Sequence, residues 1–122
     1  MSAASPLRDV LTPLSELAGV VAALVLTRDG LPVEMVGHGV RADVLAAEAG
    51  SLAEACRSAA ERLLLGEAQG VSVMAPGYRL SCLLLEEHVL AMVLEGDAAD
   101  TALAAGRDLL PELRRVLGVE AG

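Results

Sequence analysis

Leu7, Val10, Leu11, Leu14 and Leu17 recur every three or four positions, the spacing of one apolar helix face. Ser5-Pro6 ahead of them supplies an N-cap and a first helical residue. Pro13 either kinks this helix or lies in the first turn of one capped by Thr12, and Ala18-Gly19 ends it. The pattern then becomes continuous. "VVAALVLT", Val20 to Thr27, is apolar at odd and even positions alike, which marks a strand covered on both faces. Arg28-Asp29-Gly30 turns the chain into a second strand, Leu31 to Val36. Asp-Gly between apolar runs is a strong hairpin signal, and a type I′ turn with positive φ at Asp29 and Gly30 is expected. Pro32 cannot donate to a ladder, so the second strand belongs at a sheet edge.

Helical spacing returns at Asp43 and runs to about Leu65, closed by Gly66. Its core stripe is Leu45, Ala49, Leu52, Cys56, Ala59 and Leu63, and beside it runs a stripe of small residues, Ala46, Gly50, Ala53 and Ala60. Val71 to Ala75 is the third strand, closed by Pro76-Gly77. "YRLSCLLLEE" and "VLAMVLE" are the fourth and fifth, with Glu87-His88 in the tight turn between them. Asp97 or Asp100 caps a last helix, Ala98 to about Leu117, in which Pro111 is a potential kink.

These elements predict an α/β fold of the α+β kind, in the order helix, two strands, helix, three strands, helix. The simple arrangement is a five-stranded antiparallel sheet between helices, with the long middle helix on one face and the terminal helices on the other. The length, 122 residues, predicts one domain over 1–122.

Composition narrows the function classes. The net charge is −8, there is no lysine, and Tyr78 is the only aromatic residue. Such a chain is poorly suited to phosphate backbones, stacked bases or anionic lipid surfaces, so neither nucleic acid nor membrane insertion is expected. A chain without lysine has no Walker-type phosphate lysine and forms no Schiff base. The first residues do not read as a secretory signal and no apolar run is long enough to span a bilayer. Cys56 and Cys82 stand apart in apolar settings and read as reduced, buried thiols, which points to the cytoplasm.

Candidate chemistry is sparse. His38 and His88 have no partner at metal-ligand spacing and read as loop histidines. Ser81-Cys82 lies inside an apolar strand with no base at hand except the distant His88. Glu86-Glu87 reads as a solvated turn tip, and "GHGVRAD" lacks the glycines and the strand-to-helix setting of a phosphate loop. No cofactor and no metal are expected. The one charged helical face that suits partner contact is Glu54, Arg57, Glu61 and Arg62, with an ordinary solvated face as the plain alternative.

The third strand carries no charge from Gln69 to Gly77. An edge strand without a guarding charge invites pairing with another strand. The small-residue stripe on the long helix would let a second helix approach. Together they predict a homodimer through Ala46, Gly50, Ala53, Ala60, Leu64, Val71, Val73 and Ala75.

The order of elements, and above all the segment "LSELAGVVAALVLTRDGLPVE", resembles the Roadblock / dynein light chain family. The long Ala-rich helix, the three later strands and the closing helix continue the resemblance over nearly the whole chain. It implies a five-stranded antiparallel sheet related to profilin and longin domains, and a homodimer in which the third strands pair and the middle helices lie side by side. It also implies a non-enzymatic regulator or scaffold of a small Ras-like GTPase, most similar to the stand-alone bacterial regulators, including gliding-motility polarity proteins. Two other readings stand beside it. One is a dimeric scaffold in a motility or cytoskeletal complex without direct GTPase regulation. The other is a small-ligand sensor or enzyme, which would need a polar-lined pocket that the sequence hardly supplies.

Overall fold

The computed structural model describes residues 5–121. Ser5 caps α1 (Pro6–Ser15), its hydroxyl oxygen accepting from the N–H of Arg8 at 3.3 Å. Pro13 lies inside this helix near its end, and Leu7, Leu11 and Leu14 form its buried side. β1 (Val20–Thr27), β2 (Pro32–Gly37), α2 (Ala42–Arg62), β3 (Gly70–Ala75), β4 (Tyr78–Leu84) and β5 (His88–Glu95) follow. The expected last helix is two helices, α3 (Ala99–Asp108) and α4 (Leu110–Ala121). Pro111 stands in the first turn of α4, where a missing N–H costs nothing, so it starts a helix and does not kink one. Neither Asp97 nor Asp100 caps α3. Its N-cap is Ala98, and Asp100 pairs with Arg79 at 2.7 Å.

The five strands form one antiparallel sheet in the order β2-β1-β5-β4-β3. The central three are those whose sequences carry apolar residues at odd and even positions alike, and Pro32 lies on an edge strand. α1, α3 and α4 cover one face, where Leu11, Leu113 and Met92 meet around Val25 and Leu90. α2 covers the other, over Leu24, Leu26, Cys82, Leu84, Val89 and Ala91. Opposite residues of an antiparallel pair share a face. The register therefore puts Val71, Val73 and Ala75 on the α2 side, with Cys82, Leu80 and Tyr78. Ser72 lies on the other side, its hydroxyl 2.8 Å from that of Ser81.

The β1–β2 turn differs from the expected type I′. Gly30 has φ +94°, whereas Asp29 does not enter the positive region. The N–H of Gly30 donates to the carbonyl of Thr27 at 2.9 Å, and that of Thr27 to Leu31 at 2.8 Å. This is a three-residue loop, a type I turn followed by a left-handed glycine. The register shifts after it, with Val25 opposite Glu34 and Leu26 opposite Pro32.

α2 is turned about its axis relative to the expected core stripe. Its buried residues are Leu45, Ala46, Ala49, Gly50, Ala53 and Ala60. Leu52, Cys56 and Ala59 are half-buried at its border, and Leu63 is 67% exposed. The small side chains are inside because the helix runs close to the β1–β2 turn. A Cβ on Gly50 would stand 3.0 Å from the Cα of Gly30.

Candidate functional site: the open edge and the end of α2

The free side of β3 is the first candidate surface. Leu84 donates its N–H to the carbonyl of Gln69 at 3.0 Å. Hydrogen-bonded pairs alternate along an antiparallel ladder. From that pair and the register, Val71, Val73 and Ala75 bond to β4, and Gly70, Ser72 and Met74 aim their N–H and C=O groups outward. Val73 is 46% and Met74 70% exposed. The edge therefore offers three outward residues and apolar side chains with no charge among them.

The predicted helical half of the dimer surface is placed differently. Ala46, Gly50, Ala53 and Ala60 face their own sheet and are buried within the chain, so they cannot be the stripe that a second helix meets. At Gly50 the space under α2 is narrow, since a Cβ there would stand 3.0 Å from the Gly30 Cα of the β1–β2 turn. The side of α2 that borders β3 carries Leu52, Ala55, Cys56 and Ala59, along a depression that also reaches Val71. Cys56 donates its thiol to the carbonyl of Gly70 at 3.6 Å. Cys82 lies in the same apolar cluster, and burial pushes its thiol up to about 11.

The charged face of α2 is partly tied into the fold. Glu54 accepts from Arg28 of the β1–β2 turn at 2.6 Å and from Arg57 at 3.3 Å. The hydrogen bond from Arg28 is the main reason that the Glu54 carboxyl is held below its usual range. Arg57, mostly buried, donates to the carbonyl of Leu85 at 2.5 Å. Glu54 and Arg57 thus brace α2 against two turns at one end of the sheet, a role that helical spacing alone does not reveal. Glu61 and Arg62 are exposed.

Three leucines follow α2. Leu63, Leu64 and Leu65 are 67, 90 and 73% exposed. Leu64 N–H donates to Glu61 at 3.1 Å, and Leu65 N–H to Ala60 at 2.9 Å. This is a Schellman motif, whose left-handed position is usually glycine. Here it is Leu64, with φ +59°, and Gly66 stands two residues beyond it. The cap expected at Gly66 therefore falls on Leu64. Leu64 borders a depression of about 660 Å³ between α2 and the β4–β5 turn, away from β3.

His38 is exposed in the loop after β2, and His88 opens β5 opposite Thr27. Among the described residues, no three His, Cys, Asp or Glu side chains are placed to hold a metal ion, and no helix is long and apolar enough to cross a membrane.

The Roadblock/LC7 domain model matches residues 7–99 of this chain. A Roadblock/LC7 domain from Streptomyces avermitilis is similar at TM-score 0.81 and 24% identity, covering 90% of this chain and 96% of that one. MglB of Myxococcus xanthus is similar at TM-score 0.86 and 12% identity, over 97% and 99%. The gliding protein MglB of Thermus thermophilus gives 0.81 and 22%, over 95% and 93%. These structural likenesses show a shared fold. No curated protein matches the chain.

Proposed function

The chain belongs to the Roadblock/LC7 family, and from that premise we propose that it is a non-enzymatic, homodimeric regulator or scaffold of a small Ras-like GTPase. The open β3 edge carries the dimer in this reading. Gly70, Ser72 and Met74 direct their backbone donors and acceptors outward from an uncharged strand, the Gly70 carbonyl already accepting from the Cys56 thiol. Pairing with a second copy about a two-fold axis satisfies these groups and extends the sheet. The same pairing brings Leu52, Ala55, Cys56 and Ala59 of each α2 toward the axis, together with Val71, Val73 and Ala75. The helical contact thus uses the exposed border of α2, and the small stripe stays in the core.

The GTPase assignment rests on family membership, an argument by analogy. Two reduced thiols fit a cytoplasmic protein. The test is a pull-down of the cognate GTPase loaded with GDP or with a non-hydrolysable GTP analogue. Retention in one nucleotide state supports regulation, and no retention in either state removes the GTPase from the proposal.

The second reading is a dimeric scaffold in a motility complex with no direct effect on a GTPase. The similarity to a gliding protein favours it. A GTPase that binds with an unchanged hydrolysis rate and unchanged nucleotide exchange supports the scaffold.

A further inference from the structure

The depression between the end of α2 and the β4–β5 turn is lined by leucine and carboxylate side chains together. Leu64 stands on one side, nine-tenths exposed, and Leu84 and Leu85 lie beneath. Glu61 and Glu67 border it from the α2 side, and Glu86 and Glu87 from the turn. Its two cations are already engaged. Arg28 and Arg57 both meet Glu54, and Arg57 also donates to the Leu85 carbonyl. Glu61, Glu67, Glu86 and Glu87 make no ion pair among the described residues.

Leu64 is the most telling member. A leucine in the left-handed region is disfavoured, and glycine is the usual residue there. The side chain recovers no burial for that strain in the free chain. Leu63 and Leu65 beside it are exposed as well, and a contiguous apolar patch rimmed by polar residues is a common form of protein contact. The unpaired carboxylates around it specify the sign of the partner's charge.

We propose that this groove docks a basic, apolar-faced segment of a partner protein. A Leu- or Val-type side chain of the segment packs on Leu64, and flanking Arg or Lys residues reach Glu61 and Glu67 on one side and Glu86 and Glu87 on the other. An amphipathic helix meets this requirement, laying its apolar stripe in the groove. The proposal rests on reading the chain as a partner-binding protein, but it does not require the partner to be a GTPase.

The test is a titration of the full, ¹⁵N-labelled chain with a synthetic amphipathic Leu/Arg helix, and with a control peptide in which every Leu is Ser. The expected result is chemical-shift changes at Leu64, Glu67 and Glu87, with the control peptide binding at least about tenfold more weakly. Leu64→Ser and the double change Glu86→Gln/Glu87→Gln weaken binding by a similar factor, and Glu48→Gln, on an exposed part of α2 outside the groove, leaves it unchanged. Equal binding of both peptides, or equal loss with Glu48→Gln, means diffuse attraction to an acidic protein and overturns the proposal. Peptide binding at the groove with no GTPase retained retires the GTPase and keeps the groove. A GTPase retained undiminished by Leu64→Ser, with no peptide bound, does the reverse.

Discussion

The backbone N–H of Leu65 reaches the carbonyl of Ala60 at 2.9 Å, and this bond holds Leu64 between them in the left-handed region at φ +59°. The helix end is thus hydrogen-bonded at the expense of a disfavoured leucine. Leu64→Gly removes the Cβ clash and keeps the motif. The extra freedom of glycine in the unfolded chain offsets part of the gain. The variant should be more stable by about 1 kcal/mol, read as a higher urea midpoint with an unchanged slope.

At Gly50, α2 lies close against the β1–β2 turn. The Gly50 α-hydrogens face the Gly30 backbone, and a β-carbon there would lie 3.0 Å from the Gly30 Cα and 3.6 Å from Leu26 Cδ1. Gly50→Val gains a little helix propensity but must lift the helix or distort the turn. Overpacking dominates, and the expected loss is about 2–3 kcal/mol in chemical denaturation. An unchanged midpoint would mean that the helix shifts freely over the β1–β2 turn.

Cys82 makes stability depend on alkaline pH. Burial, with a smaller push from Cys56, raises its thiol to about 11, whereas an unfolded thiol ionises near ~8.5. Below that lower value both states keep the proton and the term is absent. Between the two values only the unfolded chain releases it, so stability falls as pH rises, by up to about 3 kcal/mol, and levels off above about 11. Denaturation midpoints measured from pH 8 to 11 should show this decline, with a visibly shallower one in Cys82→Ala.

The direction of the β3 donors separates two proline variants. The Val73 N–H points into the β3–β4 ladder and the Met74 N–H points outward. Val73→Pro therefore breaks the fold's own sheet and should lower stability by about 3 kcal/mol. Met74→Pro removes an outward donor and leaves the β4 ladder intact. The wild type should be a dimer by light scattering at about 10–50 micromolar, and Met74→Pro a folded monomer there. A monomeric wild type at those concentrations refutes the edge-pairing argument.

The sequence by itself determined which segments are strands and which are helical, because apolar period and turn residues are local properties. It joined α3 and α4 into one helix, however, because Pro111 reads alike as a kink and as a helix start. The apolar residues at odd and even positions of β1, β4 and β5 placed them at the centre of the sheet. Pro32 set β2 at an edge, and the uncharged stretch around Val73 marked the other. The inward face of α2 was decided only by the tertiary structure. An Ala-rich helix is apolar around most of its circumference, so periodicity offers two adjoining stripes and no means to choose between them. The choice falls on the stripe with Gly50 because the Gly30 backbone of the β1–β2 turn leaves no room there for a larger side chain. Arg57 likewise reads as a surface charge by spacing. It turns inward because the Leu85 carbonyl, 28 positions along the chain, needs a donor that no local pattern announces. Leu64 takes the glycine position of the cap for a related reason. The bonds to Glu61 and Ala60 fix the backbone there, and the side chain is left pointing at solvent.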